Sequence, residues 1–171
     1  MRKMIGSYLS RQRLGWGGLL LALLLAVAPL AVQAQDGPSL PAADQQAIQQ
    51  YTLTEDVFNR LIAATKEARA AGIKPAQPGD PSKIHNLDDL ANQAVGTDPR
   101  IAPIITKNGF TPREFMLANI ALMNAAIAVQ AQSNPEVAAQ IDKSKINQAN
   151  VTFFQAHQDK IMALMQGPQA Q

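Results

Sequence analysis

Cysteine is absent from this chain of 171 residues. Without thiols the chain has no disulfide, no thiolate metal site, no cysteine nucleophile and no Cys-x-x-Cys-His haem attachment. It also lacks a Gly-x-Ser-x-Gly elbow, a phosphate-binding glycine loop and a His-Glu-x-x-His pair. The sequence therefore contains no recognisable catalytic motif. Because no disulfide can form, the folded domain must be held together by its apolar core.

The N-terminal 34 residues have the composition of a secretory signal peptide. A basic start precedes an apolar run over residues 14–32, and the small residues Val32 and Ala34 fit a signal-peptidase site. We expect cleavage between Ala34 and Gln35, which predicts a periplasmic or secreted protein. Absence of a cysteine after the apolar run argues against a lipoprotein, and an uncleaved membrane anchor is the alternative that stays open.

Removal of this segment would reverse the sign of the net charge. The whole chain has a formal charge of +2, but residues 1–34 hold four of the 15 Lys and Arg residues and none of the 13 Asp and Glu residues. The remainder has 11 basic and 13 acidic residues, a net charge of −2. Nucleic-acid binding through a basic surface therefore loses its main support, and we expect membrane contact only through the signal segment before cleavage.

The strongest structural signal is a central helix over residues 112–131. Thr111 is suited to be its N-cap, Pro112 suits the first helical position, and Phe110 and Phe115 have the spacing of a hydrophobic staple. Pro135 predicts where the helix stops.

This helix is apolar nearly all round, which is typical of a buried helix or a membrane span. Its apolar run, residues 115–129, is shorter than the roughly 20 residues that a span needs, and Asn119 and Asn124 interrupt it. Bulky side chains and alanines lie on opposite sides. We therefore expect a buried helix with neighbours on both faces.

The rest of the chain predicts a compact all-α bundle of four to six helices around this central one. No run alternates between apolar and polar residues as a strand would. Residues 35–50 are predicted to be a mobile leader with at most a turn or two of helix, residues 51–166 the helical domain, and residues 167–171 a frayed tail. The other long helices are expected at 55–71 and 151–166, the latter capped by Asn150, and a loop at 74–81.

Two residue types offer weak candidates for a bound group. His157, with Met116, Met123, Met162 or Met165, could ligate a b-type haem between helices, and the thioethers could hold a soft metal. The alternatives are a histidine at the edge of the core and methionines that fill it. Because the spacing distinguishes no ligand pair, the sequence predicts no cofactor, no metal and no catalytic residue.

Three short stretches carry a resemblance to other proteins. They are residues 52–54, 109–115 and 150–154, which read Thr-Leu-Thr, Gly-Phe-Thr-Pro-Arg-Glu-Phe and Asn-Val-Thr-Phe-Phe. With them the chain resembles small uncharacterised exported helical proteins of Gram-negative bacteria over about residues 51–164. The resemblance implies a shared helical fold and carries over no catalytic residue.

The function expected from all this is a non-enzymatic binding or interaction module outside the cytoplasm. Its partner would be a protein, a peptide or a small apolar ligand. The alternatives are the haem or soft-metal carrier built on His157 and the methionines, and an enzyme whose motif is not recognisable.

Overall fold

A computed structural model describes residues 40–74 and 80–166 of the chain, with side chains as far as Ala163. The all-α prediction is confirmed, and the described ranges contain no strand. They contain eight α-helices, more than expected, because some are very short and the last long helix is divided. The helices are α1 Ala42–Gln50, α2 Glu55–Ala70, α3 Leu87–Gly96, α4 Ile101–Lys107, α5 Pro112–Ser133, α6 Pro135–Ala138, α7 Gln148–Ala156 and α8 Gln158–Gln166.

The long helix α5 is the centre of the fold, as the sequence predicts. The Thr111 side chain accepts a hydrogen bond from the Glu114 N–H (3.1 Å), and Phe110 packs edge-to-face on Phe115. Six other helices (α1, α2, α3, α4, α6 and α7) contact it. Within the described ranges only α5 is long and apolar enough to cross a membrane, with a mean hydropathy of 1.3. Eight of its 22 residues are buried against neighbouring helices, as in the core helix of a folded domain.

The apolar interior consists of two clusters that share α5. The larger cluster joins α2, α4, α5, α7 and α8, and its fully buried members include Phe58, Leu122 and Ile161. The smaller cluster joins the other face of α5 to α3; its buried members are Leu87, Ala91, Met116 and Ile120. The predicted alanine and bulky faces of α5 thus serve different neighbours.

Two glycines end helices in the left-handed conformation. Gly72 (φ +66°) follows α2 and Gly109 (φ +80°) follows α4. At the second site the Phe110 N–H donates to the Ile105 carbonyl and the Gly109 N–H to the Thr106 carbonyl, both at 2.9 Å. These two bonds form a Schellman motif, which turns the chain from α4 into α5.

Residues 42–50 differ from the expected mobile leader. They form α1, which packs against α5, and Asp44 is its one buried side chain. Apolar content, the basis of the expectation, is low in α1; a buried carboxylate that meets an arginine 69 positions away is what fixes it. The expected signal peptide, its cleavage site at Ala34 and Gln35, the tail and most of the 74–81 loop lie outside the described residues.

The predicted helix over 151–166 is wrong in two respects. Asn147, not Asn150, is the N-cap, and its side chain accepts from the Ala149 N–H at 3.0 Å. Asn150 instead points inward within α7, where both atoms of its amide bind the backbone of residues 51–53. The helix is then interrupted at His157, which separates α7 from α8.

Candidate functional site

His157, the first candidate from the sequence, joins the α7–α8 break to the start of α2. Its ring lies 4.3 Å from that of Phe153 and 5.4 Å from that of Phe58, measured between centroids. Its Nε2 is 2.8 Å from Glu55 Oε1, and the side chain is 14% exposed. With one ring nitrogen on Glu55 and two aromatic rings close by, His157 is part of the packing between α2, α7 and α8.

The methionines do not form a common site with His157. Met116 and Met123 belong to the smaller cluster, whereas His157 contacts Phe58 and Phe153, which belong to the larger one. Met162 is 43% exposed, and the Met165 side chain lies outside the described residues. Among residues 40–74 and 80–166, no group of three histidine, aspartate or glutamate side chains could hold a metal ion.

An ion pair between a buried aspartate and a partly exposed arginine, which the sequence did not predict, joins α1, α3 and α5. Asp44 is 6% exposed; its Oδ1 accepts from Arg113 Nη2 at 2.5 Å and its Oδ2 from the Leu87 N–H at 2.8 Å. Arg113 also binds Asp88 through Nη1 at 2.8 Å. The side-chain hydrogen bond from Arg113, and then the Leu87 N–H, hold the pKa of Asp44 below its usual value.

Around this ion pair lies the apolar surface of the smaller cluster. We call it the α3–α5 surface: buried Leu87, Ala91, Met116 and Ile120, bordered by the partly buried Leu90, Ala94, Leu117 and Met123. Helix α1 covers it with one large apolar side chain, that of Ile48, which is itself only partly buried. Four of the nine residues of α1 are glutamine. Three of these, Gln45, Gln46 and Gln50, are exposed, so the face that α1 turns to the surface has little apolar area besides Ile48.

Two asparagines at the start of α7, Asn147 and Asn150, bind the segment that connects α1 to α2. Asn150 Oδ1 accepts from the Leu53 N–H and its Nδ2 donates to the Tyr51 carbonyl, each at 2.8 Å. Asn147 Nδ2 also donates to the Tyr51 carbonyl at 3.2 Å. We call Asn147 and Asn150 with these partners the asparagine clasp. Because Asn150 is buried and both its amide atoms are bound, this side chain has a structural role.

A small cavity adjoins the clasp. Its volume of about 10 Å³ gives room for about one water molecule. The apolar part of its lining includes Ile48, Ala121 and Ile146, and the polar part includes Asn124 and the two clasp asparagines. A cavity of this size is too small for an organic ligand.

The residues that matter most here were missed because their partners lie far away in the sequence. Asp44 meets Leu87 and Arg113, 43 and 69 positions later, and Asn150 meets Leu53, 97 positions earlier. One local signal was available: Asp44 is the only charged residue in a nine-residue helix. Nothing in its spacing indicates Arg113 as the partner.

Comparison of the chain with family models, with curated proteins and with solved structures returns no match. The site is therefore interpreted from its own geometry.

Proposed function

We propose that this chain is an exported, non-enzymatic module that binds a protein or peptide, and that the α3–α5 surface is its binding site. The signal-like N-terminal segment and the resemblance to exported helical proteins support the location. The observation that carries the choice of site is a mismatch: α1 covers this apolar surface with a single large apolar side chain, Ile48, and a buried carboxylate, Asp44.

Several polar groups that first suggest chemistry have structural partners. Arg60 binds Asp56, Glu114 and the Gly109 carbonyl, and it lies 4.3 Å above the Phe110 ring. This residue joins α2 to the α4–α5 corner. Together with Asp44 and Asn150, such groups hold helices together, which favours a binding role for the apolar surface over acid–base chemistry.

A photo-crosslinking amino acid in cells that make the protein tests the proposed site. We would place it at Leu117, on the edge of the α3–α5 surface, and as a control at Lys66, which is exposed on α2. We expect a defined crosslinked partner from position 117 and none from position 66. The proposal fails if position 117 gives no partner while the variant is folded and exported.

Native mass spectrometry of protein taken from the export compartment tests the rest of the proposal. We expect a mass that corresponds to residues 35–171, alone or with a bound polypeptide. A mass that includes residues 1–34 would contradict cleavage. A stoichiometric haem or metal would instead favour the carrier alternative built on His157 and the methionines.

A further inference from the structure

We propose that the partner of the α3–α5 surface is a helical segment that presents a carboxylate and, four residues later, a large apolar side chain, and that α1 occupies the surface as an intramolecular competitor. This inference rests on the proposed function and specifies the chemistry of its ligand. Within this chain, Asp44 and Ile48 of α1 form the same pattern of a carboxylate and, four residues later, a large apolar side chain.

The charge arrangement supports the first half of that pattern. Arg113 lies at the second position of α5 and Leu87 is the first residue of α3, so a guanidinium and a free helix N–H converge on one carboxylate. Free N–H groups at a helix start favour an anion, and a guanidinium gives the contact direction as well as charge. A partner helix would need an aspartate or glutamate at this point.

The spacing of α1 supports the second half. Residues four apart lie on the same face of a helix, so the face that directs Asp44 to Arg113 also directs Ile48 to the smaller cluster. Ile48 packs against that cluster, and so do Leu117 and Met123, whose side chains stay partly exposed. A helix with more apolar residues on this face would cover the surface more completely than α1 does.

The same mismatch makes α1 displaceable. Its N-cap, Pro41, makes no side-chain capping bond. Beyond the clasp at its C-terminal end, α1 is held by the bonds of Asp44 to Arg113 and to the Leu87 N–H, and by the packing of Ile48. A competitor that reproduces both contacts and adds apolar area would replace α1 while the larger cluster stays intact.

The absence of cysteine provides a direct test in the full chain, because one introduced thiol reports the exposure of one position. The Met116→Cys thiol lies at the centre of the α3–α5 surface, where Met116 is 3% exposed. The Val57→Cys thiol is the control: Val57 is 8% exposed in the larger cluster and reports global unfolding. The rate of reaction with an excess of a thiol reagent is measured at both positions.

With these reporters, Asp44→Asn should raise the labelling rate at position 116 by about ten- to a hundredfold, the loss expected for a hydrogen bond to a charged group. The rate at position 57 should change less than about twofold. A synthetic peptide that copies residues 40–52 should then protect position 116. Peptides that carry Asp44→Asn or Ile48→Asp should not.

Three results would overturn the inference. If the labelling rates at 116 and 57 rise together, α1 opens only with the whole domain. If position 116 opens alone but the peptide gives no protection, the surface does not take such a helix, although a partner crosslinked at Leu117 would still support the proposed function. If protection grows with protein concentration without peptide, the occupant is a second copy of this chain.

Discussion

Asn150 shows how one side chain can fix a distant part of the chain. It is 3% exposed, and its amide satisfies one backbone donor and one backbone acceptor in the segment that leads into α2. A buried backbone group without a partner is costly, so truncation of this side chain should destabilise the fold. The sequence indicates an asparagine near a helix start but not the identity of its partners, since they are almost a hundred positions away.

We therefore expect Asn150→Ala to lower the free energy of unfolding by about 2–4 kcal/mol, because it leaves the Leu53 N–H and the Tyr51 carbonyl without this partner. Urea unfolding followed by circular dichroism measures the change. The control is Asn59→Ala on the exposed face of α2, which should alter the value by less than about 0.5 kcal/mol. Equal effects from both variants would contradict the role of the clasp.

Tyr51, the other side of the clasp, has an unusual acid–base property. Burial, and then the negative charge of Glu114, raise the pKa of Tyr51 to about 12. Since the folded chain holds this proton more tightly than the unfolded chain, the free energy of unfolding should fall as the pH rises from about 10 to about 12. Sequence alone gives no sign of this shift.

Ultraviolet absorbance of the phenolate measures this pKa. The chain has two tyrosines, so Tyr8→Phe leaves Tyr51 as the only phenol. We expect a titration midpoint near 12 in the folded protein. A midpoint near 10, with circular dichroism still that of the folded chain, would show that Tyr51 is in an ordinary environment.

Helix ends are where sequence reasoning worked best in this protein. Thr111 caps α5 as predicted, Thr54 and Asn86 cap α2 and α3 in the same way, and Gly72 and Gly109 follow the ends of α2 and α4. These signals lie within four residues of the atoms that they bind, so a local pattern determines them. Failures came where a distant partner overrides the local pattern, at α1 and at Asn150.

The three glycines at helix ends should respond differently to alanine. Gly109→Ala combines a left-handed φ with a new Cβ 3.3 Å from Arg60 Nη1. It should lower the free energy of unfolding by about 1–2 kcal/mol. Gly72→Ala has the same backbone strain, but no atom lies within 4 Å of the new Cβ. It should lower the free energy of unfolding by about 1 kcal/mol.

Gly96→Ala is the matched control for these two variants. This glycine is helical and has open space around its Cβ position, so alanine should stabilise by about 0.5–1 kcal/mol. Thermal unfolding gives all three values. If Gly109→Ala were as stable as Gly96→Ala, the positive φ at the α4–α5 corner would be refuted.

The contact of α1 with α3 and α5 should weaken at low pH. Because the folded pKa of Asp44 lies below its usual value, its contribution to stability is present above about pH 4 and is lost as the pH falls through the folded pKa. A dye attached through Gln46→Cys, which is exposed on α1, reports this release. We expect an acid transition in this chain that is absent when Asp44→Asn is added; the same transition in both would assign it to other carboxylates.

The whole domain depends on α5, which contributes to both apolar clusters. The sequence predicted this centre and its two different faces, because a 22-residue apolar helix in a chain of this size has to be enclosed. It did not predict which helices enclose each face, since packing partners are set by shape and by long-range contacts that no local pattern contains.

Because both clusters share α5, damage to either should weaken the same unfolding transition. Leu122→Ala in the larger cluster and Met116→Ala in the smaller one should each lower the free energy of unfolding by about 2–5 kcal/mol. Circular dichroism and the fluorescence of a dye on α8 should give the same urea midpoint in each variant. Two separate midpoints in Met116→Ala would mean that the clusters unfold independently.

The asparagine clasp also affects the order in which the chain folds. It joins positions 53 and 150 and so closes a loop that contains nearly the whole helical domain. Closing a loop of this length costs on the order of 4 kcal/mol of chain entropy, and contacts between such distant positions form after local ones. We therefore expect the segment that connects α1 to α2 to bind α7 late in folding, although the ribosome makes that segment early.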